Sequence, residues 1–89
     1  MNRRERKELA EDIEQRLDDE LGFDLDYEIS DYHECGTSIV DVDIDISDCD
    51  DWPDDWDVQV EDIISGVVDD WGGWYSWEGW CISVSIEDE

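Results

Sequence analysis

From Leu17 to Glu89 the chain carries 25 aspartates and glutamates and not one lysine or arginine, yet the same stretch holds most of its apolar residues. The five basic residues, Arg3, Arg4, Arg6, Lys7 and Arg16, all fall in the first sixteen positions beside five acids. That segment is therefore neutral, and the formal net charge of -25 belongs to the remainder. An acidic tail attached to a neutral domain would look different. Here the part that must fold is itself the anion, and self-repulsion of this size opposes compaction. The apolar residues have to be placed efficiently to offset it. At 89 residues one domain with one modest core is expected. With 39% apolar residues and 6 Trp, the composition differs from that of a disordered acidic segment.

The apolar residues are ordered by period. Leu9, Ile13, Leu17 and Leu21 recur every four residues, which predicts a helix from Asn2 to Leu21. Asn2 and Glu5 form an N-x-x-E capping box, and Gly22 stands where a glycine C-cap belongs. Phe23, Leu25, Tyr27 and Ile29 then alternate with Asp24, Asp26, Glu28 and Ser30, the period of a half-buried strand. Residues 30–38 read as a loop into which that strand runs a little way. Val40, Val42, Ile44 and Ile46 alternate with Asp41, Asp43, Asp45 and Ser47, a second strand expected to pair with the first as an antiparallel hairpin.

An acidic, aromatic connector from Asp48 to Asp57 follows, and then a second helix to Trp71. Trp56, Val60, Ile63, Ile64, Val67, Val68 and Trp71 share one side of it. Val58 falls outside that side, so Trp56-Val58-Val60 also fits a short strand. Gly72-Gly73 ends the helix, and Trp80, Ile82, Val84 and Ile86 mark a third strand. Trp74-Tyr75-Ser76-Trp77 either extends that strand or forms a short one of its own. The expected fold is α+β, a two-layer domain of order α-β-β-α-β: an antiparallel hairpin plus a third strand, with two helices packed on one face. A parallel pairing of the second and third strands would make their crossover right-handed.

Composition also narrows function. Nucleic-acid binding needs Lys and Arg to neutralise phosphates, and anionic membranes demand the same. No apolar run is long enough to span a bilayer, and no secretory leader opens the chain, so a cytoplasmic location with reduced thiols is expected. No nucleophile–base spacing, phosphate loop or nucleophile elbow is present, and His33 is the only histidine, so no catalytic residue and no cofactor are expected. Asp41-x-Asp43-x-Asp45 begins like a calcium loop, but Ile46 and Trp52 occupy the positions that need glycine and glutamate. His33, Cys35, Cys49 and Cys81 are zinc-ligand types at a spacing that matches no zinc pattern, so the cysteines read as small hydrophobes and no metal is expected.

The acids themselves form the candidate site. Asp24, Asp26 and Glu28 line one face of the first strand, and Asp41, Asp43 and Asp45 line the matching face of the second. Residues two apart on a strand are spaced by about 6.7 Å, and two base steps of DNA rise about 6.8 Å. Two such rows copy a phosphate array, and arginine forks bind carboxylates as they bind phosphates. Asp48, Asp50, Asp51, Asp54 and Asp55 extend the anionic surface. Trp52 is placed to stack on a partner arginine or to pin the connector to the core, the latter being preferred for Trp56. Trp71, Trp74, Trp77 and Trp80 fall within ten residues and fit a carbohydrate or cation cage, but core or a hot spot for a protein partner is the preferred reading. The plain alternative is a solvated sheet face, but ordinary faces mix charge signs.

In size, charge and acid placement over residues 17–89 the chain resembles the small acidic DNA-mimic inhibitors of phages and mobile elements, the anti-CRISPR and anti-restriction proteins. That resemblance implies a non-enzymatic inhibitor, with anti-CRISPR preferred. Its partner would be a basic nucleic-acid-binding protein, a CRISPR effector or restriction enzyme, in the cytoplasm of an infected or prophage-bearing prokaryote. Two other readings stay open. One is a small domain adapted to concentrated salt. The other is an acidic module that binds a basic protein without imitating DNA. The basic helix fits either a fold-back onto the acidic body or a homodimer.

Overall fold

A computed structural model describes residues 3–47 and 49–87. Helix α1 (Arg3–Glu20) is followed by strands β1 (Tyr27–Glu34) and β2 (Thr37–Ile44), a short 3₁₀ turn (Cys49–Asp51), helix α2 (Trp56–Trp71), and strands β3 (Trp74–Glu78) and β4 (Cys81–Glu87). The four strands form one sheet in the order β1-β2-β4-β3, with every neighbouring pair antiparallel. Both helices cover the same face, α1 over β1 and β2, α2 over β3 and β4. This is the two-layer α+β fold expected from periodicity, with Trp74-Tyr75-Ser76-Trp77 forming the start of a strand of its own.

The helix stripes and the inner rows of the central strands meet in one core. α1 contributes Leu9, Ala10, Ile13 and Leu17, and α2 contributes Val60, Ile63, Ile64, Val67 and Val68. Val40, Val42 and Ile44 of β2 and Ile82, Val84 and Ile86 of β4 close it from below. The edge strands are only half-buried at Tyr27, Ile29, Tyr75 and Trp77. Arg16 crosses between the helices, donating to Asp12 on α1 and Asp70 on α2, while the Trp71 indole N–H also reaches Asp12 at 3.1 Å.

Several local expectations change. The first strand begins at Tyr27, not Phe23, because Phe23 turns off the sheet to pack on Trp52, ring centroids 5.9 Å apart. One further ladder bond, from the Asp45 N–H to the Asp26 carbonyl, extends the pairing past the strand end. The segment read as a loop is mostly hairpin: β1 runs to Glu34 and β2 starts at Thr37. Cys35 and Gly36 between them have φ of 50° and 76°, the two positive angles a type I′ turn requires.

Gly22 does not supply a left-handed cap, since it is absent from the positive-φ positions; the Leu21 N–H closes the last turn onto the Leu17 carbonyl instead. The capping box at Asn2 lies outside the described residues. α2 does end as expected, with Gly72 at φ 75° and the N–H groups of Gly72 and Gly73 both on the Val68 carbonyl. Trp56 to Val60 is helical, which leaves Val58 54% exposed on the outer side. The strand expected third from sequence is β4, and it pairs with β2 antiparallel, so no parallel crossover joins them; β3 takes its other edge. Since both flank β4 antiparallel, β2 and β3 run parallel with β4 between them. Trp80 belongs to the β3–β4 turn and leaves the inner row to Ile82, Val84 and Ile86.

Among the described residues no helix is long and apolar enough to cross a membrane.

Candidate functional site

The face of the sheet that the helices leave open follows from the ladder register. Residues directly opposite across antiparallel strands point the same way, so the open face is a set of cross-strand rows. One row is Glu28, Asp43, Cys81 and Glu78. The next is Ser30, Asp41, Ser83 and Ser76, and beyond it lie Tyr32, Ile39, Ser85 and Trp74. Glu34, Thr37 and Glu87 complete the face beside the Cys35-Gly36 turn. Neighbouring strands are about 4.8 Å apart and same-face residues about 6.7 Å apart along a strand, so the carboxylates occupy a regular lattice.

Carboxylates gather at the end of the hairpin away from its turn. Asp26, Glu28, Asp43 and Asp45 line an open depression of about 550 Å³ together with Tyr27 and Ile44. Asp24 and Asp26 line an adjoining one with Asp51, Phe23 and Trp52. Six of the predicted acids (Asp24, Asp26, Glu28, Asp43, Asp45 and Asp51) are thereby brought to one end of the molecule, with Asp41 one row further along the sheet. Asp50, Asp54 and Asp55 are exposed on the connector, where Asp55 accepts a hydrogen bond from Gln59. Asp48 lies outside the described residues.

Like charges directly opposite one another destabilise a strand pair, and Glu28 faces Asp43. The side chains that hold these acids are small neutral donors. Ser83 Oγ donates to Asp41 at 2.7 Å. The hydroxyl and N–H of Ser47 both donate to Asp45, at 2.6 and 3.0 Å, and lower its pKa. Cys81 stands directly across from Asp43; its pKa is pushed up to about 12 by burial first, then by the Asp43 carboxylate and by the charges of Asp41 and Glu78. Burial raises the Tyr32 phenol as well, reinforced by Asp41 and Glu34. Neutral donors orient a carboxylate without cancelling its charge. The ion pairs of Arg4, Arg6 and Arg16 go elsewhere, to Glu8, Asp31, Asp12 and Asp70, on the helices or the inner side of β1.

Trp52 requires correction. It is 8% exposed and packed between Phe23 and Trp56, so its ring pins the connector to the core and leaves only a small part at the adjoining depression. The tryptophans that face solvent are Trp74 and Trp80, at 50% and 55%. Sequence reasoning also missed Tyr32, Glu78 and Trp74 as members of the open face. The first lay in the segment read as a loop, and the other two needed the β3–β4 register. Gly79, the one residue with positive φ between β3 and β4, was the available signal for that hairpin.

Dense as the acids are, no three potential ligands converge on a metal position among the described residues. His33 and Cys35 stand at the turn end of β1, whereas Cys81 faces Asp43 toward the opposite end, so the four zinc-type residues do not meet. A lattice of oriented carboxylates can accept guanidinium and ammonium groups at several points at once.

Compared with known proteins, the chain matches no family model, no curated protein and no solved structure.

Proposed function

We propose that this protein is a binding inhibitor that imitates nucleic acid, occupying the basic groove of a host-defence enzyme of the CRISPR-effector or restriction type and performing no catalysis. One observation carries the reading. On the open sheet face Glu28, Asp41 and Asp43 stand on an antiparallel ladder with Asp45 just beyond its end, and serine donors orient Asp41 and Asp45. Solubility alone needs no such alignment, and mixed charges would serve it at less cost to the sheet. A prearranged anionic surface loses little freedom on meeting a basic groove, and its field speeds the encounter.

The test uses tagged protein to capture binders from a prokaryotic lysate at low salt, followed by elution with duplex DNA. The expected result is one stoichiometric nucleic-acid-binding protein, released by DNA and weakened by salt. A Glu28→Gln, Asp43→Asn, Asp45→Asn variant with an unchanged circular dichroism spectrum should bind that protein about tenfold or more weakly. Binding that survives excess DNA argues for an acidic module that does not imitate nucleic acid. A chain that folds only in concentrated salt argues for salt adaptation.

A further inference from the structure

A second feature lies around the corner from the open face, at the β3–β4 turn. Phe23, Trp52, Trp56 and Trp80 form a continuous aromatic series. Successive ring centroids are 5.9, 5.2 and 6.1 Å apart, running from the buried Trp52 outward to the half-exposed Trp80. Trp80 is backed by Trp56 and fixed from behind, since its carbonyl accepts the Ile44 N–H at 3.0 Å. Beside it Trp56, Trp77, Trp80 and Gly79, with Asp57 and Glu61 from the first turns of α2, line an open cleft of about 360 Å³. Glu61 is steadied there by the Tyr75 hydroxyl at 3.2 Å.

We infer that this cleft is an arginine-anchoring pocket, in which a guanidinium of the basic partner stacks on Trp80 and forks to the carboxylates of Asp57 and Glu61. The inference rests on the partner being basic, as proposed above. A half-exposed indole held rigidly by a second ring offers a flat π face, and a nearby pair of acids makes that face attractive to a cation. Guanidinium suits it better than ammonium, because it is planar, weakly hydrated and able to stack and hydrogen-bond together. Glu78, the residue before Gly79, belongs to the carboxylate row of the open face, so the cleft adjoins that surface. The lattice of acids would then supply general attraction, and Trp80 a specific anchor of the kind that dominates interface energetics.

The probes are nona-arginine and nona-lysine peptides, titrated into the protein at about 0.15 M salt. Indole ¹⁵N–¹H signals would be followed alongside the binding constant. The arginine peptide is expected to shift the Trp80 indole signal and to bind about fivefold more tightly than the lysine peptide. Trp80→Ala should abolish that preference, and Trp80→Phe should retain part of it. Circular dichroism checks that both variants fold. Equal affinity for the two peptides, or a preference that survives Trp80→Ala, overturns the anchor. If both peptides still bind and Glu28→Gln with Asp43→Asn weakens both, the anionic surface stands without the anchor. If neither peptide binds, the anchor and the reading beneath it fall together.

Discussion

At the scale of single residues, local chemistry makes two side chains behave unlike their types. Cys81 is surrounded by Asp43, Asp41 and Glu78 and partly buried, and its thiol is pushed up from 9.0 to about 12. At pH 8 that cuts its thiolate population by about 1,000-fold, while Cys35 is exposed at the turn. Labelling with a chromogenic disulfide should therefore modify Cys35 readily and Cys81 far more slowly, and Asp43→Asn should speed Cys81. The same shift has a sign for stability. A thiol whose folded pKa is raised contributes fully below pH 9, and that contribution is lost as the pH rises toward 12. Alkaline titration of the melting midpoint should be shallower in Cys81→Ser. Ser38 is the other case. It is fully buried between His33 and Ile86 on the ladder, and among the described residues its hydroxyl finds no hydrogen-bond partner. Ser38→Ala should stabilise the protein by about 1 kcal/mol in urea denaturation.

At the scale of elements, the joint between α2 and β3 has no room for a side chain at Gly73. A Cβ on Gly73 would stand 2.2 Å from both the Ser85 carbonyl oxygen and Ile86 Cδ1. Backbone cannot yield as a flexible side chain can, so only glycine lets β3 turn straight from the helix onto β4. Gly73→Ala should cost about 1–3 kcal/mol by chemical denaturation. Gly66, whose added Cβ would meet only the end of the Arg16 side chain at 3.7 Å, is the control and should tolerate alanine sterically. The hairpin β1–β2 depends on a different device. Cys35 adopts a φ that favours Asn or Gly, which is why its pattern does not announce a turn as Asn-Gly would.

At the scale of the whole molecule, charge is segregated along an elongated body of 41 × 21 × 18 Å. Arg6 meets Asp31 and Tyr27 reaches Glu14 and Asp18, so α1 brings its basic end toward the hairpin turn and its acidic end toward the carboxylate depression. A chain with net charge -25 should gain stability from screening. The melting midpoint at pH 7 should rise by several degrees between about 0.01 and 0.15 M salt, as the Debye length falls from about 30 to 8 Å. A flat or falling midpoint would contradict a body strained by its own charge.

The sequence by itself determined the two helices, the apolar rows of β2 and β4, and the acid rows between them. Those features are local: period 3.6 or 2 decides which side of an element is buried, whatever that element packs against. The acids from Glu28 to Asp45 were legible for the same reason, because alternation places Asp41 and Asp43 opposite Val40 and Val42 on β2. Only tertiary structure decided that β4 inserts between β2 and β3, since strand order depends on contacts between residues far apart in the chain. That insertion brings Ser83 and Cys81 beside Asp41 and Asp43 and sends Glu78 to the end of the carboxylate row. Packing also chose among the tryptophans. Phe23 leaves the strand to cover Trp52, and Trp80 is left facing solvent in a two-residue turn. Composition treats those rings alike, and only their neighbours in space make one a core residue and the other an exposed face.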